Sequence, residues 1–193
     1  MKVYLVRHGE SMANTENVFY GRYNSPLSEH GWEQARAVHE KLKNIHVQRV
    51  YTSPLQRAID TGRTVAEGMH IPHIVDERLI ECSVGEWEMT PASEIFGKYP
   101  ELRTKNRHKW ASFKCPGGEC GADVVERVRP FAEEIIKANE NVLIAAHLGS
   151  IRALMVCFLG LSPDFMDHLD IQQGVYTLLD VDDGFATLEV VNG

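Results

Sequence analysis

The chain has 193 residues, 44% of them hydrophobic, enough for a real core, and a single domain over 1–193 is expected. No apolar run approaches the ~20 residues of a membrane span, and the N-terminus reads as a strand where a basic leader would stand, so no membrane association and a cytoplasmic location are expected. The net charge of −7 arises in the tail, where no lysine or arginine follows Arg152 but seven acids run from Asp164 to Glu189, and the chain lacks the broad basic face that nucleic acid requires.

Lys2 to Val6 reads as a buried strand running straight into Arg7, His8 and Gly9. If it opens a parallel sheet, those residues emerge at its carboxyl edge, where open α/β sheets place their chemistry. An arginine fork meets phosphate oxygens bidentately, a neutral imidazole can attack phosphorus, and a glycine lets the backbone turn and a ligand approach. Three residues alone also fit ordinary loop surface.

From Leu27 the pattern predicts an amphipathic helix capped by Ser28, with Trp32, Ala35, Val38 and Leu42 on its apolar stripe. His30, His39 and His46 read as surface residues. A strand over Arg49–Thr52 leads to Ser53 as cap and Pro54 as the first residue of a helix ending near Gly68, which puts Arg57 in its first turn. Ile71–Val75 reads as a short strand. His70 and His73, with Asp76 and Glu77, fit no zinc spacing, and neither a P-loop nor a GxGxxG fingerprint occurs, so no metal and no cofactor are expected.

The stretch 89–121 is the candidate lid for substrate specificity. It carries Lys98, Arg103, Lys105, Arg107, His108, Lys109 and Lys114 among Tyr99, Trp110 and Phe113. These residues form either a lid offering cations to a second anionic group or, as the default, a surface whose charges face water and whose aromatics face the core.

Helical spacing follows at Val124, Val128, Phe131, Ile135 and Ile136, with a bend expected at Pro130. Asn141–Ala146 reads as a buried strand, SIRALMVCFLGL as a helix closing at Gly160, and the C-terminus as a hairpin turning at Asp183-Gly184. Cys82, Cys115, Cys120 and Cys157 read as reduced thiols, with pairing of Cys115 and Cys120 under oxidation the lesser alternative.

Strand and helix alternate, so the expected fold is α/β: three layers, α/β/α, around a mainly parallel central sheet. If the strands are parallel, His8, Arg57 and His147 share one rim and converge on a phosphoryl-sized pocket.

In order, the chain carries RHGESMAN, GRYNSPLSEHGWEQA, TSPLQRAIDT, ERLIECSVGEWE, PGGE before a helix, and AAHLGSIRAL. Together these blocks resemble the histidine phosphatase superfamily, its phosphoglycerate-mutase-like branch with the RHG motif, and within it the compact small-metabolite phosphatases of the α-ribazole phosphatase type. The resemblance implies that His8 is the nucleophile forming phosphohistidine, and that Arg7, Arg57 and His147 hold the phosphoryl oxygens. It implies that Asn14 joins that pocket and that Glu81 is the general acid. Leu148 stands where a small residue is common, beside the second histidine, and is expected to narrow or dry the pocket. Asn24 replaces a common aspartate and Cys120 a common serine.

The function so implied is metal-independent hydrolysis of a small phosphorylated metabolite, which is also the expected partner; a homodimer stays open. Glycolytic mutases follow the acid with Arg-His-Tyr and carry a long basic insertion, whereas here Cys82, Ser83 and Val84 follow Glu81. The alternatives are a cofactor-dependent mutase, returning the phosphoryl group to substrate, and a phosphate-binding regulatory module without turnover.

Overall fold

The computed structural model describes residues 1–103 and 109–193. Its sheet uses β1 (Lys2–Arg7), β3 (Arg49–Thr52), β4 (His73–Val75), β6 (Val142–Ala146), β7 (Tyr176–Asp182) and β8 (Phe185–Val190) in the order β4-β3-β6-β1-β7-β8. The first four are mutually parallel; β7 pairs antiparallel with β1 and with β8. A second, two-stranded sheet joins β2 (Val18–Phe19) to β5 (Thr90–Pro91).

β6 lies inside the sheet with every residue buried, which explains its unbroken VLIAA run. Alternate side chains divide between two helical layers. Val142, Ile144 and Ala146 join the core built by α5 (Gly121–Ala138) and α6 (Leu148–Leu159), including Phe131 and Leu154. Leu143 and Ala145 face the opposite way, towards Val38 and Leu42 of α2 (Glu29–Leu42) and Val65 of α3 (Gln56–Ala66). The result is the expected three-layer α/β/α arrangement. Two short helices, α1 (Met12–Thr15) and α4 (Ala92–Lys98), lie in the connections.

Several sequence expectations shift. Trp32 is 38% exposed, and Gly31 takes the inward position instead. The cause is a backbone contact: a Cβ on Gly9 would run into the Gly31 carbonyl oxygen, so the loop after β1 packs directly on the start of α2. Gly9 therefore makes room for a helix, not for a ligand. α3 begins at Gln56, after the expected Pro54, because the Ser53 hydroxyl is drawn towards His147; the Asn24 Oδ1 accepts the Gln56 amide at 2.8 Å in its place. α5 runs on through Pro130 as a single helix, and β4 spans three residues instead of five. His39 is half-buried, its Nδ1 donating to the Val65 carbonyl at 3.0 Å, so it ties α2 to α3 and is not free surface. All four cysteines are free thiols.

A small satellite core gathers part of the candidate lid. Trp87 packs with Tyr99 and Phe113 at ring-centroid distances of 5.1 and 5.8 Å, over Ile95 and the buried Cys115. Trp110 stays 37% exposed. Lys114 pairs with Asp123 at 2.8 Å, and Lys98 lies 5.9 Å from the Tyr99 ring centre. Lys105, Arg107 and His108 lie outside the described residues.

Candidate active site

Parallel pairing of β1 with β6 sets Arg7 opposite Ala146, so the residues that follow, His8 and His147, leave the sheet side by side. The His8 amide donates to the Ala146 carbonyl at 3.0 Å, and the imidazoles meet edge to face with centroids 5.0 Å apart. Both rings are buried, His8 at 3% and His147 at 0% exposure.

Around them the neighbouring elements supply partners. The Nδ1–H of His8 donates to the Gly9 carbonyl at 2.6 Å; a carbonyl only accepts, so the proton sits on Nδ1 and Nε2 carries the lone pair. Arg57 directs its Nε–H to that lone pair at 3.3 Å and its two Nη groups to the Gly21 and Tyr23 carbonyls at 2.8 Å each. The Tyr20 ring centre lies 5.0 Å from the Arg57 guanidinium carbon. On β3, register with β6 carries Ser53 to the same rim, where its Oγ meets His147 Nε2 at 2.7 Å. Ser53 Oγ already accepts the Leu55 amide at 3.3 Å, which leaves its own proton for the imidazole. With Ser53 as the donor, the His147 proton sits on Nδ1, a buried atom with no partner among the described residues.

Electrostatics keep both rings neutral. Burial, then the Arg57 charge, holds His8 well below the ordinary imidazole range; its bond to Gly9 opposes this and Arg7 adds to it. Burial first, then Arg57, His8 and Arg7, do the same for His147. Arg7 donates Nη1 to the Ile171 carbonyl at 2.6 Å, while its buried Nε has no partner among the described residues. An ammonium in so dry a place would give up its proton readily; a guanidinium does not.

Glu81 leans on the start of α6. Its Oε1 accepts the Cys82 amide at 2.7 Å and the Gly149 amide at 3.1 Å, and Oε2 lies 3.3 Å from the latter. Its charge acts on Arg7 and Arg57, opposing the effect of burial on each. A Cβ on Gly149 would lie 2.5 Å from Glu81 Oε1, so only glycine lets the carboxylate rest there. Gly149→Ala is therefore expected to lower kcat by about 10²-fold, the scale of a misplaced acid, with an unchanged circular dichroism spectrum as the control.

Asn14 lies on α1, where its Oδ1 accepts the Ser11 amide at 2.9 Å and Gln173 Nε2 at 2.7 Å. Leu148 is half-buried and lines a cavity of about 280 Å³ that Glu81, Gly149 and Tyr20 also border. The sequence reading missed Ser53 and Gly149. The former carried a signal, since TSP precedes Arg57, but it fitted a helix cap equally well; the latter had none short of the Glu81 contact.

Two comparisons define the class. The alpha-ribazole phosphatase from Shigella flexneri superposes with a TM-score of 0.89 at 29% identity, over 100% of this chain and 96% of that one. The architecture is thus the phosphoglycerate-mutase-like α/β fold. A profile of the histidine phosphatase superfamily, branch 1, matches residues 3–193, and the chain belongs to that family of enzymes. It is 31% identical over 194 residues to the adenosylcobalamin/alpha-ribazole phosphatase of Salmonella typhimurium, covering 100% of this chain and 96% of the relative. It is also 35% identical over 175 residues to the 2,3-bisphosphoglycerate-dependent phosphoglycerate mutase 2 of Gloeobacter violaceus, covering 87% and 80% respectively. No helix among the described residues is long and apolar enough to cross a membrane.

Proposed function

We propose that the chain hydrolyses a small phosphomonoester without a metal ion, through a phosphohistidine on His8. The observation that carries this reading is a neutral, buried imidazole whose Nδ1 proton is fixed by Gly9, which leaves Nε2 as the unprotonated nitrogen, held only by the long 3.3 Å contact from Arg57. Nε2 attacks phosphorus in line, and the bond from phosphorus to the ester oxygen breaks. Glu81, entering as the carboxylic acid, gives its proton to the departing alkoxide. As carboxylate it then takes a proton from the water that attacks phosphohistidine; the P–N bond breaks, phosphate leaves, and Nε2 regains its lone pair. Arg7, Arg57 and the Nδ1–H of His147 face the equatorial oxygens, where charge spreads in the transition state.

Mutase chemistry needs the same intermediate but a second acceptor, and the Gloeobacter relative keeps it as the rival reading. Steady-state release of free phosphate at the full turnover rate supports hydrolysis; a bisphosphate requirement with little phosphate released would replace it. The two arginines supply the charge that a metal ion gives elsewhere, so activity is expected to survive a chelator. A need for added divalent metal would overturn this mechanism.

Glu81→Gln keeps the shape but has no proton to give. Alkyl phosphates are expected to lose about 10²- to 10⁴-fold in kcat and p-nitrophenyl phosphate less than about tenfold, because an activated leaving group departs unassisted. Equal losses would place the acid elsewhere.

A further inference from the structure

The cavity beyond Glu81 is walled by Val84, Trp110, Val124, Leu148 and Met166, and its polar groups besides those of the catalytic rim are Arg152 and Asp167. Trp110 is a fixed wall, since its carbonyl accepts the Gly121 amide at 2.8 Å and ties it to the first residue of α5. Arg152 stands one turn beyond Gly149 on α6 and donates Nε to the Leu169 carbonyl at 2.6 Å. Asp167 holds a buried Oδ1 with no partner among the described residues. The Asp167 charge acts on Arg152, whose guanidinium spends Nε on a backbone carbonyl and keeps its Nη groups for a third group.

We propose, building on the hydrolase reading, that this cavity receives the alcohol half of the ester. It selects a ring-sized, largely apolar alcohol whose far edge carries both an acceptor for Arg152 and a donor for Asp167. The volume of about 280 Å³ sits at the lower end of small-molecule pockets, ~300 Å³, room for one or two fused rings. Glu81 lies on the boundary between the imidazoles and this chamber, where the ester oxygen must be protonated as the alcohol departs. The carboxylate of Asp167 also selects against a second phosphate or carboxylate, because like charges set side by side out of water cost far more than Arg152 alone offsets. An alcohol that offers no donor leaves the Asp167 carboxylate to lose water without a partner, so it binds less well.

The test compares kcat/KM for benzyl, 4-carbamoylbenzyl and 4-carboxybenzyl phosphates and 3-phosphoglycerate, in the wild type, Asp167→Asn and Trp110→Ala. The carbamoyl ester, with donor and acceptor on its edge, is expected to lead and the two carboxylates to trail by at least about tenfold. Asp167→Asn should narrow the gap between carbamoyl and carboxyl esters about tenfold, a split that general loss of structure does not produce. Trp110→Ala should lower the benzyl esters about tenfold relative to 3-phosphoglycerate, which has no ring to lay against the indole. A carboxylate ester as best substrate, or a gap that Asp167→Asn leaves unmoved, overturns the proposal. The matching benzylphosphonates, which cannot be hydrolysed, are titrated by calorimetry in parallel. The same order of affinity with no turnover of any ester supports the cavity and refutes the hydrolase reading; turnover with no order in either measurement does the reverse.

Discussion

His8→Ala is expected to abolish acid-labile phosphoryl incorporation from a radioactive phosphomonoester and to lower kcat by at least about 10⁴-fold, since no other imidazole nitrogen takes over the attack. His147 is not placed to substitute, because its Nε2 is bound to Ser53 at 2.7 Å. Persistent label in the variant would remove His8 as nucleophile. The same substitution has a signature in stability. Native His8 stays neutral far below 6.5, whereas in the unfolded chain it protonates near that value. The unfolded state thus binds more protons as the pH drops, so the stability that the native state shows above 6.5 is lost progressively below it. Removing one such histidine is expected to reduce the acid slope of unfolding free energy by about 1.4 kcal/mol per pH unit, read from denaturant titrations between roughly pH 6.5 and 5.

Arg57→Ala should cost at least about 10³-fold in kcat, the scale associated with a cation on a transferring phosphoryl group. Its burial makes the effect twofold in kind. The guanidinium holds the Gly21 and Tyr23 carbonyls as well as the nucleophile, so the variant should also unfold about 2–4 kcal/mol more easily. Arg57→Lys should not rescue turnover, because one ammonium cannot span three acceptors set around a planar fork. Loss of the Arg57 charge also relieves part of what suppresses His8 protonation, so the acid limb of kcat/KM should move to higher pH in Arg57→Ala. An unmoved limb would mean that burial alone keeps the ring neutral.

The layers were legible because β6 is a short, continuous apolar run with every side chain covered, and Val3, Leu5 and Val6 of β1 are buried beside it. The convergence of His8, Arg57 and His147 was legible for the same reason: parallel strands deliver their following residues to one rim. What escaped was set by contacts between distant segments. Ser53 and Pro54 form a good local helix start, yet the hydroxyl serves His147 and a distant Asn24 supplies the cap. Trp32 fits the apolar stripe of α2 on spacing, but the Gly9–Gly31 approach makes Gly31 the buried residue at the helix start, while Ala35, Val38 and Leu42 stay inward. The role of Gly149 is invisible without Glu81 beside it, and nothing in the local sequence announces Arg152 and Asp167 as facing one chamber.

β1 and β6 are paired on both sides, so the amide of His8 is held in a ladder that opens only when the whole sheet does. Part of the wall around the departing alcohol stands on shorter pieces: the short helix Pro163–His168 that carries Met166 and Asp167, and the connection bearing Trp110. Amide exchange should be slowest at the first and faster at the second. On warming, discrimination among alcohols would then fade before the capacity to cleave the ester, and exchange of one set of walls for another need not disturb the bond-breaking end.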